Sequence, residues 1–236
     1  MTLHVAACDL LSSTGEPLAC APHDGTFIVD PSNDPARYIR SIAVDPTDSN
    51  VVYAAYHALN GSPPNTDIFV VRSTDGGLTW GSPVRVNDDA TNKHQLFPAL
   101  AVSNGVLHVA WCDLRESSNP NDPVATNDSL NIYYAYSNLG GVAYPSFSAN
   151  VRVSDVGQQA NCTVVGFHQF GDYIGIAARY ESGTGKHVVH VAWTDERDIP
   201  PNLCFSPPLL PPFNFDGNGS LNQNVYTDVI TLTPNP

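Results

Sequence analysis

Residues 73–80 read STDGGLTW. They separate TDIFVV (66–71) from GSPVRV (81–86), two runs in which apolar residues alternate as they do on a strand. The whole is a hairpin, but not a minimal one. A two-residue turn needs only Asn-Gly or Asp-Gly; this connection adds Ser73, Thr79 and Trp80 around Asp75 and Gly77. The added residues have local uses. Asp75 can accept hydrogen bonds from N–H groups of the turn. Gly76 and Gly77 supply positive φ. Trp80 can cover the turn and fill space between sheets. The stretch therefore reads as a folding device, and Asp75 as a structural rather than a catalytic carboxylate.

Outward from this hairpin the chain repeats itself. VLHVAWCDL (106–114) has copies in TLHVAACDL (2–10) and VVHVAWTDER (188–197), and a looser one in VVYAAYH (51–57). A strand precedes three of these: SIAVDPTDSN (41–50), PALAVSNG (98–105) and IGIAARYESGTG (174–185). Another follows each of those three: TDIFVVRST (66–74), LNIYYAYSN (130–138) and QNVYTDVIT (223–231). A fourth follows twice, in SPVRVND (82–88) and SANVRVSD (148–155). The unit is thus four antiparallel strands, and His108 and His190 at matching positions set a period of roughly 80 residues. Such units, each burying its faces against its neighbours, predict an all-β propeller. Blades are expected over roughly 38–86, 97–153 and 171–232, with an extra strand at 2–10, all within one propeller domain or a portion of one spanning 1–236. That makes three to four blades, open to being part of a larger ring. GTFIVD (25–30) and the N-terminal strand either complete a fourth blade, or the strand edges at both ends pair with another copy or with a missing remainder of the protein.

Ser73-x-Asp75-x-Gly77-x-Thr79-Trp80 matches the Asp box in full, and SNLGGVAY (137–144) is a degraded copy with Leu139 in place of the Asp. On these residues and the repeat over 40–232, the chain resembles the sialidase-like, BNR or Asp-box repeat, propellers. That resemblance implies boxes at the blade periphery, away from any active site. It also implies, for an enzyme, three arginines clamping a substrate carboxylate, an Asp acid/base and a Tyr–Glu nucleophile pair. An arginine fork suits the clamp because it binds a carboxylate at two points. The family's first arginine lies in an aromatic-Arg-Ile-Pro motif; RYIRSI (37–42) has Tyr38, Ile39 and Arg40 in another order with no Pro following. No Tyr–Glu pair is apparent from the sequence.

The strongest polar pattern is Asp113-x-Arg115, repeated as Asp195-x-Arg197. Positions i and i+2 of a strand share a face, so each pair projects a carboxylate and a guanidinium together at a strand end. Two readings stand: a charged cluster at one mouth of the propeller, or ion pairs locking neighbouring blades. The lock is preferred, because an arginine already matched by a carboxylate is a poor free clamp. His4, His108 and His190 share one structural position, which reads as packing rather than metal binding. A calcium reading attaches to NFDGNGSLNQNV (214–225), where Asn214, Asp216, Asn218 and Ser220 fall at alternate positions with Gly219 sixth, as in the front half of an EF-hand loop. Position twelve is Val225 rather than Glu. Asp88 and Asp89 are a weaker candidate. No cofactor is required by the pattern, and structural Ca²⁺ is the one metal it suggests.

The 23 acidic and 10 basic residues give a net charge of −13, which repels nucleic acid and anionic membranes. No run of about 18 apolar residues exists, so no membrane insertion is expected. MTLHVAACDLLSS reads as a strand rather than a signal peptide, so a mature or truncated form is expected. Cys8 and Cys112 occupy matching strand positions as small apolar residues; Cys162 and Cys204 lie in loops where a disulfide is open. The expectation is an extracellular or cell-surface propeller acting as a binding or structural module with a glycan as ligand. The alternative is a sialidase-type glycosidase acting on terminal sialic acid or a related acidic sugar.

Overall fold

The computed structural model describes residues 38–60, 65–117, 129–138, 146–159, 163–164, 167–168, 174–195 and 224–233. β1 (Tyr38–Asp45), β2 (Asp48–Asn60), β3 (Asn65–Ser73) and β4 (Val84–Arg85) form an antiparallel sheet in chain order. β5 (Gln95–Ser103), β6 (Val106–Asp113), β7 (Ser129–Asn138) and β8 (Val151–Arg152) form the next in the same order, with β9 (Gln158–Gln159) also paired to β7. β10 (Thr163–Val164) pairs with β11 (Phe167–His168). β12 (Ile174–Glu181), β13 (Lys186–Asp195) and β14 (Asn224–Leu232) make a third sheet. These are three successive propeller blades, and no helix occurs among the described residues. The strand expected at 2–10, and GTFIVD at 25–30, lie outside the described residues.

The alternation in each second strand sorts the core. Leu107, Val109 and Trp111 of β6 point one way, into a core with Tyr53, Ala55, Ile68 and Val70 of blade 1. Ala110 and Cys112 point the other way, into a core with Val189, Val191 and Trp193 of blade 3. β6 is buried on both faces along its whole length, as a strand between two blades must be. Trp111 is 0% exposed, and removing a buried aromatic of this kind costs about 3–5 kcal/mol. The first strands are innermost: β5 packs against both β1 and β12, and the Leu100 N–H donates to Ser41 Oγ across the first seam at 3.0 Å.

Two local features follow from turn chemistry. Asn104 and Gly105, with φ of 45° and 75°, close the β5–β6 hairpin, as Asn-Gly does in a two-residue connection with positive φ at both positions. β5 carries a bulge between Leu96 and Ala99, where Phe97 has a φ of 53°. The extra residue re-aims Phe97 so that its ring meets His57 edge-on, centroids 6.2 Å apart.

Candidate functional site

The strands present two ends with different chemistry. At one end lie the Asp box and the β1–β2 turn, tied together by the Gly76 N–H donating to Asn50 O at 2.9 Å. Ser73 Oγ donates to Asp75 Oδ1 at 2.7 Å and accepts from the Gly77 N–H at 2.9 Å. Thr79 donates to Asp75 through its N–H at 2.9 Å and through its hydroxyl. Hydrogen bonds from Ser73 and Thr79 hold the Asp75 carboxyl down to about 2. Gly76 and Gly77 have φ of 76° and 91°, and Trp80 lies over Gly77 while packing against Ala54, Tyr56 and Val71. Both carboxylate oxygens of Asp75 are engaged by its own hairpin.

At the other end, six residues along β3 and roughly 20 Å away, the ends of β2 and β6 meet the linker from β4 to β5. Arg115 stands at the centre. Its Nε and Nη2 donate to Asp113 Oδ2 at 3.0 and 2.8 Å, Nη1 to Asp88 Oδ1 at 2.8 Å and Nη2 to Asn150 Oδ1 at 2.8 Å. Its guanidinium carbon sits 4.1 Å above the Tyr133 ring, a cation–π contact. Asp88 belongs to the linker leaving blade 1; Asp113, Tyr133 and Asn150 belong to blade 2. The arginine is therefore a bolt across the first seam, and each of its guanidinium nitrogens is engaged. Burial works against its charge, but the bonds from Asp113 and Asp88 outweigh that and hold it above its ordinary value. Burial likewise pushes the Asp113 carboxyl up, with Arg115 and the Trp111 indole pulling against it. Asp88 and Asp89 belong to this network: Asp88 accepts from Arg115 and the Asn150 N–H, Asp89 from Thr91 and Asn87.

A second layer lies below. Asp67, 1% exposed, is held by Asn60, Asn87 and Arg85, and Asn87 also reaches the fully buried Gln95. His94 Nδ1 accepts from the Thr66 N–H at 3.0 Å, which leaves the ring proton on Nε2. Burial lowers His94 to about 4, so the ring is neutral.

Toward solvent, Tyr133 donates to Glu116 Oε1 at 2.6 Å, and Arg152 Nη1 donates to Glu116 Oε2 at 2.9 Å. This Tyr–Glu pair was not apparent from the sequence, because Glu116 lies in the β6–β7 loop and Tyr133 on β7. Burial and the Glu116 carboxylate push the phenol well above its ordinary value. Around it, Asp88, Glu116 and Arg152 have side chains 47%, 36% and 33% exposed. The arrangement offers two carboxylates and one guanidinium to a ligand, with the Arg115–Tyr133 stack behind.

Trp111 Nε1 donates to Asp113 Oδ2 at 2.8 Å, and Trp193 Nε1 to Asp195 Oδ2 at 3.1 Å. The same i, i+2 logic that joined Asp113 to Arg115 contained this repeat. Asp195 is 0% exposed. Arg197, and Asn214, Asp216, Asn218 and Ser220 of the calcium reading, lie outside the described residues, as do Cys8, Cys20, Cys162 and Cys204. Arg40 lies in β1, its side chain outside the described set. Arg72, Arg85, Arg115, Arg152 and Arg179 each donate to an acceptor or pair with a carboxylate. Among the described residues no His, Cys, Asp and Glu group has the geometry to hold a metal.

The shared histidine position has two fates. His108, 0% exposed, bridges Tyr134 Oη at 2.7 Å and Ser103 Oγ at 2.9 Å. Ser103 Oγ continues to His187 Nδ1 of blade 3 at 2.7 Å. Run from Tyr134 to His187 or in reverse, every atom of this chain has a partner with all groups uncharged. Burial lowers His108 to about 3 and also lowers His187. His190 is exposed instead, so the packing expected at that position is made by His108 and not by His190.

No protein-family model and no curated protein matches the chain. Among solved structures it is similar to a Penicillium chrysogenum α-L-arabinanase complexed with arabinobiose, at 20% identity over 69% of this chain and 42% of that one, TM-score 0.40. It is similar to a Hadza microbial sialidase at 14% identity over 67% of this chain and 32% of that one, TM-score 0.40. A Trypanosoma rangeli sialidase in complex with the inhibitor DANA is similar at 13% identity over 83% of this chain and 28% of that one, TM-score 0.44. Each of these structures is longer than this chain, which spans 28% to 42% of their length.

Proposed function

We propose that the chain is a binding or structural module of a secreted or cell-surface assembly, and that its ligand is a glycan met at the charged end of the blades. What supports the reading most is the commitment of Arg115. Arg115, buried at the centre of that end, is used up in joining two blades, while Asp88, Glu116 and Arg152 beside it keep exposed side chains. Carboxylates and a guanidinium fork suit sugar hydroxyls and acidic sugars. The acidic balance of the chain accords with a secreted life. No helix among the described residues is long and apolar enough to cross a membrane.

One observation favours a second reading, a glycosidase of the sialidase type: the hydrogen bond from Tyr133 to Glu116. Two measurements separate the two. Binding to an array of neutral and sialylated glycans is expected, with Glu116→Gln and Arg152→Ala each weakening it at least about tenfold. No hydrolysis of a fluorogenic sialoside is expected. Turnover that disappears in Tyr133→Phe, or in Arg40→Ala, overturns the module reading in favour of the enzyme.

A further inference from the structure

The β5–β6 hairpin turns on two residues, Asn104 and Gly105, at φ of 45° and 75°. Positive φ at both positions favours Asn, Asp and Gly. The pair that meets this demand is also prone to an internal reaction, because asparagine is a thermolabile residue and the next backbone nitrogen lies one ring closure from its side-chain amide carbon. Three features leave that reaction open here. Asn104 is exposed. Among the described residues nothing engages its side-chain amide, and nothing accepts from the Gly105 N–H. A Cβ on Gly105 would meet no atom within 4 Å, so the approach to its nitrogen is unobstructed. The β12–β13 turn differs on two counts: its Gly185 N–H donates to Glu181 O at 2.8 Å, and Thr184 rather than an asparagine precedes it.

Asn60 and Gly61 repeat the dipeptide, and Asn60 is exposed as Asn104 is. One bond sets it apart. Asn60 Nδ2 donates to Asp67 Oδ2 at 2.6 Å, and Asp67 is 1% exposed. Swinging the Asn60 amide onto the main chain must break this bond to a buried carboxylate, which holds the reaction back by a factor of about ten or more. No such bond restrains Asn104 among the described residues.

We propose that Asn104 is a site of spontaneous modification, where asparagine converts to aspartate and isoaspartate and so loosens the seam between blades 2 and 3. The Gly105 nitrogen attacks Cγ of Asn104. An N–Cγ bond forms, the bond from Cγ to the amide nitrogen breaks, and ammonia leaves with the proton from the Gly105 nitrogen. Water then opens the cyclic imide at one of its two carbonyls, giving aspartate or isoaspartate. Water is consumed, ammonia is released, and nothing is oxidised or reduced. The aspartate product keeps the turn, since Asp-Gly suits it as well. The isoaspartate product does not. It routes the main chain through the side chain and adds a methylene to a two-residue turn whose length sets the register of both strands. Ser103 borders that turn, paired with Val106 across it. It is 3% exposed and joins His108 of blade 2 to His187 of blade 3, so a shift of Ser103 pulls on the seam. The inference does not rest on the ligand reading, and its readout is chemical conversion rather than glycan binding.

The test stores the full chain at body temperature and neutral pH and follows it by peptide mapping with mass spectrometry. In the folded chain Asn104 is expected to convert at least about tenfold faster than Asn60. In concentrated urea the bond to Asp67 is gone, and the two rates should approach each other. Hydroxylamine, which cleaves the imide, should cut the stored chain between Asn104 and Gly105. Asn104→Gly keeps positive φ accessible at both turn positions and has no amide to lose. Stored in parallel, the wild type should lose a few degrees more of Tm than Asn104→Gly does. Equal rates at Asn104 and Asn60 in the folded chain, the absence of a hydroxylamine cut after Asn104, or the same loss of Tm in the wild type and Asn104→Gly would each overturn the proposal.

Discussion

The two seams between blades close their polar ends with opposite chemistry. Between blades 1 and 2 the closure is ionic: Arg115, Asp113 and Asp88 carry full charges, and Asp88 is half in water. Between blades 2 and 3 it is a neutral chain, Tyr134 to His108 to Ser103 to His187, with Ser103 and His187 only 3% exposed and His108 wholly buried. The difference follows from solvent. A charge can be kept at a seam where its partners reach water, since desolvation is then incomplete. Deeper in, an ion would cost several kcal/mol, and groups that alternate donor and acceptor satisfy one another without charge. The ionic seam should therefore respond to partner removal and salt, the neutral seam to protons and to loss of a link.

The largest effect is expected where the ionic seam is most buried. Asp113→Ala strands the Trp111 N–H and takes from Arg115 three of its bonds, one from its backbone N–H and two from its guanidinium. The loss should be about 3 kcal/mol, a fall in Tm on the order of 6–12 °C. Asp113→Asn keeps an acceptor and should lose roughly half as much. Calorimetry of the two variants checks this, and an Asp113→Asn variant as stable as the wild type would show that charge contributes nothing at this seam.

Acid is the next lever. His108 in the folded chain lies at about 3 and His94 at about 4, against about 6.5 unfolded. Folded values below unfolded ones mean that the unfolded chain takes up the proton first. Stability is then full above 6.5 and falls as the pH drops below it. Each histidine removes up to about 1.4 kcal/mol per pH unit in that window. Tyr134, Ser103 and His187 meet His108 without supplying a carboxylate. Asp113, whose carboxyl burial pushes up, works in the opposite sense. Asp75 and Asp88, held down in the fold, contribute losses only as the pH falls below about 3.8. Denaturant midpoints between pH 7 and 4.5 should fall steadily in the wild type and less steeply in His108→Gln. An unchanged slope would mean that the neutral chain is not what acid attacks.

How much of this was legible beforehand depends on distance along the chain. Alternation and repetition mark β2, β6 and β13 as equivalent, because what they encode is local to each strand. The Asp box was readable for the same reason: the side-chain bonds of Ser73 and Asp75 join residues within four positions. Asp113 and Arg115 were readable as an i, i+2 pair, and Trp111 with Asp113 should have been. What was not readable is every partner brought in by blade stacking. Asp88 and Asn150 lie 27 and 35 positions from Arg115, and His187 lies 84 from Ser103. Periodicity assigns a face to a side chain but does not say what will stand opposite it. His108 and His190 make the point, since the same position is sealed in one blade and exposed in the next.

A link in the neutral seam gives a mid-sized test. Ser103→Ala leaves His108 Nε2 and His187 Nδ1 facing each other's rings without the hydroxyl between them. Loss of a buried bridging group should cost about 2 kcal/mol. The cost should be the same in 0.05 M and 1 M salt, because no ion is involved. Loss that shrinks with salt would place charge in the seam after all.

The smallest effect belongs to the exposed arm of the ionic seam. Asp88 Oδ1 meets Arg115 Nη1 at 2.8 Å, but the Asp88 side chain is 47% exposed. Its pair in water is worth at most about 1 kcal/mol, and Arg115 keeps Asp113 when Asp88 is changed. Asp88 Oδ2 also accepts from the Asn150 N–H at 2.9 Å, a bond that an asparagine there can preserve through its amide oxygen. Asp88→Asn therefore isolates the charge. The expected loss is a few tenths of a kcal/mol at low ionic strength, fading toward zero at 1 M salt, where the screening length is about 3 Å. Set beside Ser103→Ala, whose larger cost should not move with salt, the pair of measurements separates the two seams by mechanism and not only by size. A salt-insensitive loss at Asp88 would mean that its role is to shape the linker at Asn150, and that the ionic seam is ionic only at Asp113.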